Sequence, residues 1–284
     1  MTLCTRCTML GCVILACFSL IFSPVAGGAH PSERGNSPFY GLQIPVQEIV
    51  PDVYRHGPFI NEIGEEEIVI RSVTKIRGSN GKGNGNGNGN NGNNGNGNGK
   101  PIDPTDPAAY CYALSPYGTW KTLQDWDIDY PSFDLVGVDV AEAVVLTEQG
   151  MLEWENASGA TIFGDYQAQN SIYVGDLSFQ NLSTNVAAMA LVHYTMAKKP
   201  RRNWSPTHWQ IILNRNFAWA TDGDPLAMDY LSIVVHELGH VGGLLHPPTT
   251  PECREESMYP AAVRGEIKKR DIHVGDINGI RAKY

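Results

Sequence analysis

Three histidines and one glutamate near the end of the 284-residue chain have the types and spacing of a metal site. They follow the pattern H-E-x-x-H-x-x-G-x-x-H, occupied by His236, Glu237, His240, Gly243 and His246. Residues four apart share one face of a helix, so the imidazoles of His236 and His240 can bind one ion while Glu237 projects beside them. Gly243 permits the backbone to leave helical geometry, which lets His246 return as a third ligand.

This set of residues predicts hydrolytic chemistry. Three neutral imidazoles leave a zinc ion one open position for water, and the pKa of that water falls to about 7 in such sites. Glu237 would act as the general base: it takes a proton from the zinc-bound water, which attacks a peptide carbonyl, and passes the proton to the leaving nitrogen. A zinc site that only stabilises the fold is the alternative, but such a site is usually closed by a fourth protein ligand, commonly Cys.

The two histidines of the H-E-x-x-H motif need a helix, and the sequence predicts one over residues 225–241. Asp222, Gly223 and Asp224 are of the residue types that cap helix N-termini, and Pro225 stands in the first turn of the predicted helix. Helices are also expected at 138–155 and from about Val274 to the C-terminus. The spacing of apolar residues predicts strands at 122–130, 161–164, 170–174, 187–196 and 209–213. We expect residues 209–213 to form the sheet edge that pairs with an extended substrate, an interior strand being the alternative.

The first 29 residues read as a secretory signal peptide, with Arg6, an apolar run from Met9 to Phe22 and small residues up to Ala29. A retained membrane anchor is the alternative. Removal of this segment leaves two cysteines, Cys111 and Cys253, which suggests one disulfide in a secreted, extracellular protein. A Cys111 thiolate that caps the zinc ion is the competing interpretation.

Residues 79–100 consist almost entirely of Gly and Asn, which predicts a flexible linker because glycine loses much entropy on ordering and buries no side chain. Before the linker, residues 30–78 offer one plausible strand at 67–73. A segment of this size without cysteines rarely folds alone, so we expect the core to lie in the catalytic domain, 101–284, and treat 30–78 as a candidate pro-segment.

Composition removes other classes of function. The chain carries 21 Lys and Arg against 30 Asp and Glu, a net charge of −9, without a basic block, which argues against a nucleic-acid partner. No apolar run after the signal segment has the length of a membrane helix, so no stable membrane insertion is expected. We expect a monomer that acts on protein or peptide substrates.

Beyond His246 the chain contains Ser257-Met258-Tyr259-Pro260. Behind the long histidine motif, this segment resembles the methionine turn of the metzincin zinc metallopeptidases, and in particular the matrixin-like (peptidase M10-type) catalytic domain. Residues 154–164 and 275–284 resemble the family's first helix-to-strand passage and its last helix. The resemblance implies an α+β, zincin-like fold: a twisted, mostly parallel sheet, an active-site helix above it and a small C-terminal subdomain. It also implies one catalytic zinc ion.

Several features depart from the family's pattern. No cysteine lies between Ala29 and Tyr110, so the pro-segment cysteine motif that caps the zinc ion in matrixins is missing. Tyr259 follows Met258 directly, the matrixin spacing, and is therefore not assigned as a ligand. The second zinc ion of animal matrixins is in doubt because residues 223–231 contain no histidine. Calcium (Ca2+) stays open, with Asp222 and Asp224 as candidate ligands.

The leading hypothesis is a secreted zinc-dependent endopeptidase that hydrolyses peptide bonds through a zinc-bound water activated by Glu237, with His236, His240 and His246 as metal ligands. A non-catalytic binding or extracellular-matrix module on a metzincin scaffold is the first alternative, and a zinc hydrolase of small molecules is the second. The remaining histidines carry no partner pattern, and His193 reads as an ordinary strand residue.

Overall fold

The computed structural model of the protein describes residues 46–77, 106–167, 170–180, 184–196 and 203–284. The expected signal peptide, residues 1–29, and the Gly/Asn-rich linker, residues 79–100, lie outside the described residues. The candidate pro-segment is described from Val46 onward.

The described residues form thirteen strands, four α-helices and short 3-10 turns. The strands are β1 (Val46–Val50), β2 (Val53–Ile60), β3 (Glu66–Ile76), β4 (Ala113–Leu114), β5 (Gln124–Ile128), β6 (Phe163–Tyr166), β7 (Asn170–Gly175), β8 (Val186–Met196), β9 (Trp204–Asn214), β10 (Trp219–Ala220), β11 (Met228–Asp229), β12 (Leu244–Leu245) and β13 (Ala261–Ala262). The helices are α1 (Tyr130–Phe133), α2 (Val140–Ser158), α3 (Tyr230–Val241) and α4 (Val274–Lys283).

The main sheet has nine strands in the order β1-β2-β3-β8-β9-β7-β5-β6, with β13 added on β3. Strands β9, β7, β5 and β6 run parallel to one another, β8 pairs antiparallel with β9, and α2 provides the crossover between β5 and β6. Strands β1, β2, β3 and β8 pair antiparallel along the other half. The fold is therefore α+β, but the expectation of a mostly parallel sheet was wrong for the sheet as a whole, because the N-terminal strands extend it in antiparallel fashion.

The N-terminal segment is part of this sheet rather than a separate piece. Strand β3 pairs with β8 from Glu67 opposite Thr195 to Lys75 opposite Val186. Side chains from β2 and β3 belong to the same buried cluster as the residues of α3. The expectation that the core lies only in 101–284 was therefore wrong. A short antiparallel meander cannot bury a face by itself, and it does so here on the edge of a larger sheet.

Helix α3 is held in the core by two tryptophans. The indole N–H of Trp154, on α2, donates to the carbonyl of Val235 at 2.8 Å, and the indole N–H of Trp120 donates to the carbonyl of Val241 at 2.8 Å. Both acceptors lie in α3, and every residue of this helix is buried. The helix is thereby fixed in position along its C-terminal half.

Helix α3 begins at Tyr230, later than the predicted start at residue 225. Its N-cap is Asp229, whose side chain accepts from the backbone N–H of Ser232 at 2.9 Å. Arg270 also binds the Asp229 carboxylate, with Nε to Oδ1 at 3.0 Å. The start at 225 was wrong because Pro225 and the acids before it form a turn, whereas Asp229 provides the cap.

The other predicted helices and all the predicted strands are present with shifted ends, but one strand has a different place in the sheet than expected. Strand β9, which contains residues 209–213, lies between β8 and β7. The expectation that it forms the substrate-binding edge was wrong, because β8 covers that side of it. Among the strands β8, β9, β7, β5 and β6, which all come after residue 106, β8 is the edge strand next to β3.

The two cysteines form the predicted disulfide, Cys111–Cys253. It joins the start of the second described range to the segment between His246 and Met258, and both cysteines are buried. The interpretation of Cys111 as a thiolate that caps a metal was therefore wrong. Among the described residues, no helix is both long enough and apolar enough to cross a bilayer.

Candidate metal centre

The three predicted histidines come together, and two of them lie on one face of α3. His236 and His240 are one helical turn apart and almost fully buried. Gly243, with a φ of 94°, ends the helical path in a conformation that L side chains rarely adopt. The chain then forms β12 and brings His246 back, so that Nε2 of His246 lies 3.3 Å from Nε2 of His236 and 3.1 Å from Nε2 of His240.

This cluster fits a zinc ion. Each histidine has its Nδ1 against a backbone carbonyl oxygen, which keeps the proton on Nδ1 and directs the Nε2 lone pair into the cluster. The three carbonyl partners, in the order of the histidines, are Ser257 at 2.5 Å, Leu244 at 2.9 Å and Pro51 at 2.9 Å. Zinc–nitrogen bonds of about 2.0–2.1 Å in a tetrahedral arrangement place nitrogens roughly 3.3 Å apart, close to the two distances that involve His246.

The charge state of the histidines also suits a metal. Burial lowers the pKa of His236 and of His240 well below the ordinary value, and it lowers the pKa of His246 to about 4. The imidazoles are therefore neutral at pH 7 and can act as ligands. In the described part of the chain, no Asp, Glu or Cys joins these three histidines as a converging ligand. A closed structural zinc site would have a fourth protein ligand, so the cluster resembles a catalytic site.

Glu237 is fully buried beside the first ligand. Its Oε1 accepts a hydrogen bond from the hydroxyl of Thr74 at 2.7 Å, whereas its Oε2 is buried with no hydrogen-bond partner among the described residues. Burial raises the pKa of Glu237 to about 8, and the hydrogen bond from Thr74 opposes this shift. A carboxylate in this position can accept a proton from a molecule bound at the cluster.

The segment after the third histidine forms a turn under α3. The backbone N–H groups of Ser257 and Met258 donate to the carboxylate of Asp276, at 2.6 Å and 3.2 Å. Met258 is buried against the helix, and a Cβ placed on Gly239 would lie 2.2 Å from its sulfur atom. Tyr259 instead packs in a cluster with the disulfide, in keeping with its exclusion as a ligand.

Lys269 is a site residue that the sequence did not indicate. It is fully buried, and its Nζ donates to the carbonyls of Ser257 at 2.7 Å and Tyr259 at 2.5 Å. The Ser257 carbonyl also accepts a hydrogen bond from His236 Nδ1, so Lys269 helps to position the carbonyl that orients the first ligand. Burial lowers the pKa of Lys269 to about 8. In the sequence it stands within Lys268-Lys269-Arg270, a run that is more typical of a solvated surface.

His193 has a more specific environment than an ordinary strand residue. Its Nδ1 lies 2.5 Å from Oε1 of Glu67 on β3, and its ring stacks on that of His208 with centroids 3.8 Å apart. These three residues connect β3, β8 and β9 beside an open cleft. No sequence pattern indicates this cluster, because its members lie on three separate strands.

The calcium expectation stays a prediction. The side chains of Asp222 and Asp224 are exposed, and each carboxylate accepts a hydrogen bond from a backbone N–H two residues further on. This pattern is that of a local turn.

A buried helix with two histidines, a third histidine after a glycine turn and a methionine turn beneath them define a metzincin-type metal centre. Residues 176–284 match the family model Peptidase_M10: Matrixin. The chain is also 32% identical over 85 residues to metalloendoproteinase 4-MMP of Arabidopsis thaliana. Residues 176–284 are thus similar to a matrixin-like metzincin domain, and these similarities support a metallopeptidase. The alignment covers 28% of this chain and 23% of the Arabidopsis protein, so the chain spans about a quarter of that relative's length.

Proposed function

We propose that the protein is a secreted zinc-dependent endopeptidase. The observation that carries the proposal is the convergence of His236, His240 and His246 beside a buried carboxylate, Glu237, that has one oxygen without a hydrogen-bond partner among the described residues. The similarity to matrixins supports the same reaction class. Secretion rests on the signal-like sequence of residues 1–29.

The surroundings of the cluster favour an extended peptide as the substrate. Strand β8 and strand β13 flank one strand-wide space next to Glu237, and this space holds β3 in the full chain. An extended peptide in the same space would form main-chain hydrogen bonds with both strands, as in recognition by strand addition. This favours proteins or peptides over the small molecules of the second alternative.

The chain's own residues have distinct roles in such a reaction. A zinc ion bound by the three Nε2 atoms would lower the pKa of water and polarise a peptide carbonyl. Glu237 holds and moves the proton: its carboxylate accepts it from water and delivers it to the nitrogen of the leaving peptide. The carbonyls of Ser257 and Leu244 keep the rings of His236 and His240 in the orientation that directs Nε2 inward, and the Pro51 carbonyl does the same for His246 while the N-terminal strands are in place.

The substitution Glu237→Ala tests the proposal. A general base typically contributes about 10²–10⁴-fold to the rate, so we expect casein cleavage to fall by that factor while about one zinc ion per chain stays bound. Zinc content and cleavage are measured on the same preparation. Before the measurement, the chain is cut within residues 79–100 and diluted, so that the N-terminal strands β1, β2 and β3 can dissociate. Glu148→Ala is the matched control, because Glu148 is an exposed carboxylate on α2.

Unchanged cleavage by Glu237→Ala would remove this residue from the mechanism. Zinc binding without cleavage by the wild-type protein from which the N-terminal strands have been released, on casein and on peptide libraries, would instead favour the non-catalytic binding module.

A further inference from the structure

Strand β3 of the N-terminal segment runs through the space next to the metal centre. It pairs antiparallel with β8 over most of its length and parallel with β13, where Lys75 lies opposite Ala261. On the β13 side, the N–H of Arg77 donates to the carbonyl of Ala262 at 3.0 Å. A substrate peptide would need the same main-chain groups of β8 and β13, so β3 and an extended substrate exclude each other.

The same segment also occupies polar groups of the centre itself. Thr74 is fully buried on β3, and its hydroxyl donates to Oε1 of Glu237. The carbonyl of Pro51, in the turn between β1 and β2, accepts from Nδ1 of His246 at 2.9 Å. This turn is tied to β3 by the hydrogen bond from Val73 N–H to the Asp52 carbonyl and by the ion pair between Lys75 and Asp52.

The contact between Thr74 and Glu237 has a direct chemical consequence. A general base must exchange protons with the attacking water and the leaving group. The Thr74 hydroxyl donates to this carboxylate, and β3 fills the groove beside it. Together they keep the attacking water and the leaving group away from Glu237. The block does not require a thiol, and the described part of the segment, residues 46–77, contains no cysteine.

We propose that β3 is an intramolecular ligand of the active-site groove, which holds the peptidase in a latent form by strand addition and by the hydrogen bond from Thr74 to Glu237. Activation is the departure of β1, β2 and β3 from the sheet. The proposal rests on the proposed peptidase function and adds its regulation.

The connection between β3 and the rest of the chain determines how the latent form responds to cleavage. Residues 79–100, rich in Gly and Asn, join the segment to the domain that it blocks. While the chain is intact, β3 rebinds as an intramolecular ligand at high effective concentration. Once the chain is cut there, rebinding is bimolecular, so dilution shifts the equilibrium toward the open groove.

The experiment uses the full mature chain, loaded with zinc, with a recognition sequence for a site-specific protease inserted within residues 79–100. Cleavage of labelled casein is measured for the intact and the cut protein over a dilution series from micromolar to nanomolar, together with zinc content and unfolding. A synthetic peptide of residues 66–76 is then added back. Cut Glu237→Ala serves as the control for contaminating proteases.

We expect the specific activity of the cut protein to rise on dilution to at least about tenfold above that of the intact protein, which should not change on dilution. The added peptide should raise the apparent KM for the substrate and leave kcat unchanged. Equal specific activity of the intact and cut proteins at every dilution would overturn the proposal. So would loss of cooperative unfolding when the cut segment leaves, because the strands would then be a permanent part of the fold. A folded, zinc-bound domain that is free of the segment and still cleaves nothing would contradict the peptidase function itself.

A pair of substitutions tests the specific contact in the intact chain. Thr74→Val removes the hydroxyl and leaves Glu237 Oε1 buried without its donor, which destabilises the latent form. We expect the intact Thr74→Val protein to cleave casein about tenfold faster than the wild type, a change typical of the loss of one buried hydrogen bond. Thr74→Ser, which retains a hydroxyl, should behave like the wild type. Equal rates for the Val and Ser variants would show that this hydrogen bond does not maintain latency.

Discussion

Gly239, between the two helical histidines, is the residue on which the packing beneath the metal centre depends most sharply. A Cβ at this position would lie 2.2 Å from the sulfur of Met258 and 2.7 Å from the ring of Trp154. Real Cβ contacts are not that short, so the methionine turn or α2 would have to move. Because Gly239 has no side chain, the methionine turn can pack closely against α3.

Gly239→Ala should therefore destabilise the protein although alanine favours helices. Overpacking usually costs about 1–3 kcal/mol and the helix propensity of alanine offsets about 1 kcal/mol of it, so we expect a net loss of up to about 2 kcal/mol in the free energy of unfolding. Gly150→Ala is the matched control: Gly150 is a helical glycine in α2 whose added Cβ would meet a methyl group of Val235 at 3.1 Å. The control should change stability by less than about 1 kcal/mol. Equal effects in urea denaturation would contradict this packing argument.

At this scale, sequence reasoning found the residues whose relations are local. His236, Glu237 and His240 lie within one helix and His246 follows the turn at Gly243, so helical periodicity and the glycine were sufficient to place them together. Thr74 and Lys269 could not be predicted in the same way. The Thr74 contact joins residues 163 positions apart, and a threonine or lysine has no spacing pattern that would indicate its partner.

Among the secondary-structure elements, the pairing of β3 with β8 determines how the N-terminal segment is held. Glu67 on β3 contacts His193 on β8, which stacks on His208 of β9. Burial opposes ionisation of Glu67, but hydrogen bonds from His193 and Asn61 outweigh it and the pKa of Glu67 is lowered. Burial, followed by the nearby His193, lowers the pKa of His208 to about 4.

This shift predicts a pH dependence of stability. His208 is neutral in the folded protein down to about pH 4, whereas in the unfolded chain it binds a proton below its ordinary pKa of about 6.5. The unfolded state therefore takes up more protons between these values, and stability falls as the pH falls through this window. Between pH 7 and pH 5, we expect the wild type to lose about 1–2 kcal/mol more than His208→Gln.

Urea denaturation of both proteins at the two pH values measures this difference. Buried histidines that do not contact His208, including the three candidate metal ligands, contribute equally to both proteins and cancel in the comparison. An equal loss of stability in the wild type and in His208→Gln would contradict the assignment.

The elements themselves were predicted with uneven success. Helices α2 and α4 and strands β5, β7 and β8 follow from apolar periodicity, which reports the buried face directly. The predicted start of α3 was wrong because several acids before Tyr230 could serve as caps, and no sequence pattern indicates that Asp229 is the one that accepts from the Ser232 N–H and binds Arg270. Strands β1 and β2 were not predicted, because many of their residues are polar or partly exposed and contain proline breaks.

In the whole molecule, the disulfide connects regions that are far apart in the chain. Cys111 and Cys253 are 142 positions apart, and their bridge fixes the start of the domain to the segment that leads into the methionine turn. Closing so long a loop restricts the unfolded chain strongly.

Removal of the bridge by Cys111→Ser and Cys253→Ser together should lower the free energy of unfolding by about 2–5 kcal/mol. Substituting both cysteines avoids a free thiol that could form wrong pairs. Chemical denaturation of the double variant and of the wild type measures the loss. A change of less than about 1 kcal/mol would show that the bridge adds little to the fold.

The arrangement of the whole sheet could be predicted only in part. The resemblance to metzincins, together with the matching helices and strands, indicated the half of the sheet that carries β9, β7, β5 and β6. The addition of β3 to β8 escaped prediction because residues 46–77 and 186–196 are linked by no local pattern. Their pairing depends on a free sheet edge that exists only in three dimensions.

The measurement we would make is zinc content together with casein cleavage of the full mature chain, cut within residues 79–100 and diluted, with and without a zinc chelator. About one zinc ion per chain and cleavage that stops with the chelator and returns with added zinc are the predicted result, because three buried histidines and Glu237 form the site. Absence of bound zinc in the folded protein, or cleavage that the chelator does not change, would contradict a zinc peptidase.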